Sequence, residues 1–109
     1  MLISYKKTYD AKNKRVEFVL VNFDYYDGNE LLANIFHDEF GFKFNGRTDN
    51  IWNKIIRMAL EDCIYVFFWH EDVGNSIYCL NQSEYNNNLL EERIKKAIDI
   101  VNIRIQACE

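Results

Sequence analysis

The chain has 109 residues, 49% of them hydrophobic and 16% aromatic, and a formal net charge of −4 at pH 7. Such a length and composition specify one globular domain with its own core, and exclude both a disordered chain and a miniature held by disulfides or metal. A net-negative field repels phosphate, which disfavours direct nucleic-acid binding, and attracts a basic protein.

Charge is unevenly spread. Residues 1–22 sum to +3, residues 23–46 to −4 and residues 63–85 to −3, while the other segments balance. Acid therefore lies in two blocks. Cys63, Cys79 and Cys108 form no C-x-x-C pair, and an odd thiol is left over from any internal bridge. The opening "MLISYKKTYD" lacks the apolar region of a signal peptide, and the longest apolar run, "CIYVFFW" at 63–69, is too short to cross a bilayer. A cytoplasmic chain with reduced thiols, folded as a single domain over 1–109, is the expectation.

In chain order, "LISYKKTY" alternates and reads as a strand with one wet face, and "DAKNK" as a polar turn. "RVEFVLVNFDYY" is rich in β-branched and aromatic residues and reads as a long strand. Its apolar face switches from Val16, Phe18 and Leu20 to Val19, Val21, Phe23 and Tyr25, which calls for burial on both faces or a bulge. Asp27 and Glu30 have capping-box spacing; the helix they open carries Leu32, Ile35, Phe36 and Phe40 and stops at Gly41. "FKF" at 42–44 reads as a short extended piece. Thr48 or Asp49 then caps an expected second helix, with Trp52, Ile55, Ile56 and Ala59 on one face.

"CIYVFFW" is apolar on both parities, as in a central strand covered on both sides. "VGNS" suits a two-residue Gly-Asn hairpin loop, after which "SIYCL" returns as a strand. From Ser83 a long helix carries Leu90, Ile94, Ala97 or Ile98, Val101 and Ile105. Ile100 and Ile103 widen that stripe, so it needs the sheet or a second copy as cover. The order ββααββα specifies an α+β domain: a mainly antiparallel sheet of four or more strands, three helices, and the last helix lying across the sheet.

Three groups of side chains invite a chemical role. With Gly74 and Asn75 as the hairpin loop, His70 faces Cys79, and a thiol beside an imidazole is an activated nucleophile. No oxyanion hole or orienting third residue accompanies the pair, so no enzyme is expected. The same register puts Cys63 well down the ladder from Cys79, beyond the ~7 Å between Cα atoms that a disulfide spans. "HDE" at 37–39 and "HED" at 70–72 hold metal-ligating residue types, but adjacent residues diverge on a helix or strand, and neither a metal nor a cofactor is expected. The third group is "FDYYDGNE" at 23–30. Asp27 and Gly28 have work to do at the helix start, whereas Asp24, Glu30 and at least one tyrosine do not. Tyrosines among acids suit an interface: rings give contact area at little entropic cost, and acids steer a basic partner. Trp69, His70, Glu71 and Asp72 repeat the combination.

"YYDGNELLANIF" at 25–36 resembles the Tyr-Tyr-Gly-x-Asn-Leu helix start of the barstar family of ribonuclease inhibitors. Tyr25, Tyr26 and Asn29 match over those dozen residues. The family's inhibitory acids fall on Leu31 and Ile35, so its functional carboxylates do not carry over, and the chain is not assigned to that family. More generally the protein resembles the stand-alone immunity proteins that bacteria make against contact-delivered or colicin-like toxins. The resemblance and the charge pattern together imply a small inhibitor covering the active site of a basic toxin such as a nuclease. The expected contact residues are Asp24, Tyr25, Tyr26, Asp27 and Glu30, then Trp69, Glu71 and Asp72, with Asp38 and Glu39 at the margin. The alternatives are a homodimeric scaffold or regulatory subunit joined through Ile100 and Ile103, and an enzyme using Cys79 and His70.

Overall fold

The computed structural model describes residues 2–108. Strands β1 (Ser4–Asp10) and β2 (Arg15–Val21) precede helix α1 (Gly28–Phe40). Four strands follow, β3 (Lys43–Asp49), β4 (Asn53–Leu60), β5 (Cys63–His70) and β6 (Gly74–Cys79), and helix α2 (Glu84–Cys108) completes the chain. The strands form one six-stranded sheet in the order β1-β2-β6-β5-β4-β3, with every neighbouring pair antiparallel.

The ladder registers align side chains into rows that run across the sheet. One row reads Lys7–Phe18–Ile77–Phe67–Ile56–Arg47, with cations at the two edges and apolar residues between. Those four apolar residues are at most 1% exposed. They pack against Leu32, Ala33 and Phe36 of α1 and Leu90, Ile94 and Ala97 of α2, within one continuous core. Both helices therefore cover the same face. Burying side chains of this size, at roughly 2 kcal/mol each, is the main force holding the two layers together.

The expected second helix over the segment from Thr48 to Ala59 does not exist. The chain there forms β3 and β4, so the architecture is six strands and two helices rather than ββααββα with three. Ile55, Ile56 and Ala59 suit a helical stripe, but "KIIRMAL" also alternates. Lys54, Ile56 and Met58 are buried, while Ile55, Arg57 and Ala59 turn to the other face. With β5 and β3 as neighbours, the period of two prevails. The turn between β3 and β4 contains no glycine: Asn50 Oδ1 accepts the N–H groups of Trp52 and Asn53, at 3.0 and 2.9 Å. An Asx turn of this kind is easily mistaken for a helix start.

Three smaller expectations are also corrected. β2 ends at Val21 because Asn22 takes a left-handed conformation (φ 63°), and this turn, not a bulge or double burial, moves Phe23 into the core. β5 is covered by helices on one face only; on the other Val66 is buried, and Ile64 and Phe68 are half-buried. The β5–β6 loop is Glu71, Asp72 and Val73, with His70 opposite Gly74 and Tyr65 opposite Cys79. Cys79 is thus some five residues, or ~16 Å, along the sheet from His70 and on the opposite face, so the expected thiol–imidazole pair is not formed.

At the edge, β3 is exposed along its whole length and carries a bulge between Phe44 and Arg47, where Gly46 sits at φ 119°. α1 ends as expected at Gly41 (φ 76°), with Phe42 N–H reaching back to the Phe36 carbonyl. Its start differs: Asp27 makes no side-chain cap bond, and Glu30 turns to other partners. No helix among the described residues is long and apolar enough to cross a membrane.

Strand β4 makes a direct prediction. Ile56→Ala should lower unfolding free energy by about 2–5 kcal/mol in a denaturant titration, because it opens a cavity in the core. Ile55→Thr, on the half-exposed face, should change it by less than about 1 kcal/mol. Equal losses at both positions would contradict the strand.

Candidate functional site

Next to the apolar row, on the same face, lies a second one: Asp49–Lys54–Trp69–Asn75. It is polar although Lys54 and Asn75 are each only 1% exposed and Trp69 is 9% exposed. Its side chains serve the loop that connects β2 to α1. Asn75 Nδ2 donates to the carbonyls of Phe23 and Tyr25, both at 3.0 Å, and Trp69 Nε1 donates to the Asp24 carbonyl at 2.9 Å. Three successive backbone acceptors are thereby held by buried donors. Asn29 Nδ2 anchors the first turn of α1 in the same way, donating to the Lys54 carbonyl at 3.1 Å.

Lys54 supplies the charge of this row. Its ammonium donates to Glu30 at 3.0 Å, lies 3.8 Å from an Asp27 oxygen and sits 4.5 Å from the centre of the Tyr26 ring. A buried ammonium is tolerated only when its lost hydration is replaced, and these groups replace it. Tyr26 in turn stands edge-on to Trp69, with centroids 4.9 Å apart. Arg47 grips both oxygens of Glu30, at 3.1 and 3.2 Å, and also bonds Asp49. The Arg47 hydrogen bonds first, and those of Lys54 second, hold the Glu30 carboxyl at about 2, below its ordinary 4.5.

Two further loops meet the first. Asp24 lies against Gly74, where an added Cβ would come within 2.9 Å of the Asp24 Cβ; the φ of 84° there also favours glycine. Glu71 N–H donates to the Trp52 carbonyl at 3.0 Å, which joins the β5–β6 loop to the β3–β4 turn. One end of the sheet thus presents a continuous rim. Its exposed apolar side chains are Tyr25 (57%), Tyr26, Ile51 (80%), Trp52 (61%) and Val73. Its exposed carboxylates are Asp24, Asp27, Glu71 and Asp72.

The sequence-predicted residues divide three ways. Asp24, Tyr25, Tyr26, Asp27, Glu71 and Asp72 converge on the rim. Glu30 is there too, but committed to Arg47 and Lys54, and Trp69 lies beneath, supporting Tyr26. Asp38 and Glu39 are exposed at the far end of α1, roughly 12 Å or more along the helix from Glu30, and do not join the cluster. Sequence reasoning missed Ile51 and Trp52, assigned to a helix, together with Lys54 and Asn75. The signal that marks them is Asn50 and Asn53 bracketing two large apolar residues.

Neither histidine triplet assembles a chelate. His37 Nδ1 is bonded to the Phe42 carbonyl at 2.8 Å, His70 Nδ1 accepts the Asp72 N–H at 3.0 Å, and no three ligating side chains gather among the described residues. On α2, Ile100 packs against the core and Ile103 is exposed. No family model, curated protein or solved structure matches the chain.

Two predictions follow from the polar row. Asn75→Ala leaves the carbonyls of Phe23 and Tyr25 short of a donor. It should cost about 1–3 kcal/mol and speed amide hydrogen exchange in residues 23–28 while β4 and β5 keep their protection. Glu30 should show in the pH dependence of stability. Its folded-state pKa is depressed, so the stabilisation is complete above about 4.5 and is lost as pH falls toward about 2. Because the Glu30 side chain is 40% exposed, solvent screening limits the effect to the order of 1 kcal/mol. The difference in melting temperature between wild type and Glu30→Gln should therefore be largest above pH 5 and shrink steadily on acidification.

Proposed function

We propose that the chain is a small inhibitor of the immunity type, binding a basic toxin of the nuclease kind through the three-loop rim. The observation behind this reading is the convergence of four unpaired or weakly paired carboxylates and five exposed apolar side chains on three loops, the first fixed by the buried row and the other two tied together by the Glu71–Trp52 hydrogen bond. Exposed rings are favourable contact area held ready at little entropic cost, and a fixed backbone spares the ordering cost of association. The carboxylates raise the encounter rate with a cationic surface such as a site that ordinarily takes a polyanion. Glu30 belongs to the scaffold in this reading, since Arg47 and Lys54 already neutralise it.

The test begins with affinity capture from the native host, followed by kinetics with the purified partner. A basic protein should be retained, its association rate should fall with rising salt, and its nuclease activity should be blocked by the complex. Joint reversal of Asp24, Asp27, Glu71 and Asp72 to lysine should slow association and flatten the salt dependence. Trp52→Ala should act on dissociation, costing at least about 2 kcal/mol if the ring is a central anchor. A partner that binds both variants as tightly as the wild type would remove the rim from the interface.

A further inference from the structure

The end of the sheet opposite the rim carries a second constellation. Cys63 opens β5 and Cys79 closes β6, and the observed register places them on a diagonal: Tyr65 faces Cys79, and Cys63 is two residues before Tyr65 on the same face. The two thiols are nearer along the ladder than the expected register had them, and both are free. Cys63, Tyr65 and Cys79 thus share one face at the end of the β5–β6 ladder, and the Cys79 thiol donates to the Asn81 carbonyl at 3.4 Å. All three cysteines are free thiols, with Cys79 buried, Cys63 half-buried and Cys108 exposed.

Cys63 also faces a cavity of about 210 Å³, shared with Leu60, Tyr65, Asn86, Leu89 and Arg93. Arg93 Nη1 is buried in that neighbourhood without a hydrogen-bond partner among the described residues, and its guanidinium lies over the Phe42 ring at 5.3 Å. That nitrogen is shielded from solvent, while Arg93 as a residue lines the cavity and brings its positive charge to an oxygen entering there.

We propose that Cys63 and Cys79 form a peroxide-responsive dithiol site, in which Cys63 is oxidised first and Cys79 closes the disulfide. The Cys63 sulfur attacks one oxygen of a hydroperoxide. The O–O bond breaks, the departing oxygen leaves as water or an alcohol after taking a proton, and Cys63 becomes a sulfenic acid. The Cys79 sulfur then attacks the Cys63 sulfur, forming the S–S bond as the S–O bond breaks and water departs. Two thiols lose two electrons and two protons, and the peroxide is reduced by the same two electrons.

The order of events follows from burial. Cys63 has access to the cavity, whereas Cys79 is 0% exposed and its thiol is pushed up by that burial, so it is poorly suited to meet the oxidant itself. Arg93 lines the same cavity as Cys63, so its charge favours departure of the oxygen as an anion before it takes its proton. Diagonal neighbours in a sheet have Cα atoms roughly 7–8 Å apart, so closing the bridge draws the strand ends together by about 1 Å. The ladder is already ending there: Leu80 N–H still reaches the Ile64 carbonyl, but Ile64 N–H has turned to the Asn81 side chain.

The experiment uses the full chain with Cys108→Ser, which removes the exposed third thiol. Hydrogen peroxide near stoichiometric concentration should produce a monomer lighter by two hydrogen atoms. Non-reducing peptide mapping should join the Cys63 and Cys79 peptides, and dithiothreitol should reverse the change. Cys79→Ser should instead accumulate a sulfenic acid at Cys63 that dimedone traps, and Cys63→Ser should leave Cys79 unreacted while the protein stays folded by circular dichroism. Arg93→Met should slow formation of the bridge several-fold. Oxidation of Cys63 to sulfinic acid without a bridge, or no reaction at either thiol in the folded protein, would overturn the proposal; an unaltered rate in Arg93→Met would remove the arginine from it.

Discussion

A single cross-strand row, Asp49–Lys54–Trp69–Asn75, governs the end of this molecule where the loops meet. Its position dictates burial, because the adjacent row is the apolar Phe18–Ile77–Phe67–Ile56 floor of the core and α1 starts directly above it. Its chemistry is nevertheless polar. Each buried donor is spent on a segment that has no ladder of its own: the carbonyls of residues 23 to 25, the Asp27 and Glu30 carboxylates, and the face of Tyr26. An apolar row here would pack as well, but it would leave the β2–α1 loop without partners and free to take many conformations.

The same row also fixes the exposed side chains of the rim. Large exposed apolar residues on a mobile loop collapse onto one another or onto the nearest groove. On this chain Tyr26 is clamped between Trp69 and Lys54, and Trp52 is carried by an Asx turn whose carbonyl is tied to Glu71. The acids divide into two kinds by the same logic. Glu30 and Asp49 are consumed by Arg47 and Lys54 within the scaffold, and Asp24, Asp27, Glu71 and Asp72 give the exposed surface its sign.

How much was legible in the sequence depended on whether a pattern had one physical solution. "GNELLANIF" ending at Gly41 has only a helical one, and the long apolar stripe after Ser83 likewise. "CIYVFFW" is apolar on both parities, a pattern a buried helix also fits, and it proved a strand whose second face is less covered than its composition suggests. "NKIIRMAL" fits periods of both 2 and 3.6, and only the neighbouring strands decide between them. The hairpin register failed by a similar ambiguity: "HEDVGNS" offers more than one turn, and the three-residue choice shifts every partner along β6. The acid–aromatic combination around Asp24 to Asp27 and again at Glu71 and Asp72 was visible in composition, while their convergence needed the fold. Lys54 and Asn75 were not, because nothing local to a lysine or an asparagine in a strand announces that it will be buried and paired.

The seam between β2 and β6 has a consequence for how the chain assembles. From β3 to β6 the sheet is a meander of consecutive hairpins, and β1 with β2 is another, so both blocks close over short stretches of chain. They meet only where Phe18 and Val19 face Ile77 and Ser76, across nearly sixty intervening residues. That junction bears the largest loop-closure entropy of any contact in the sheet and is the slowest to be rewarded. Until it closes, two exposed edges await partners, and the order in which hairpins zip and then dock is set by topology more than by the strength of any one contact.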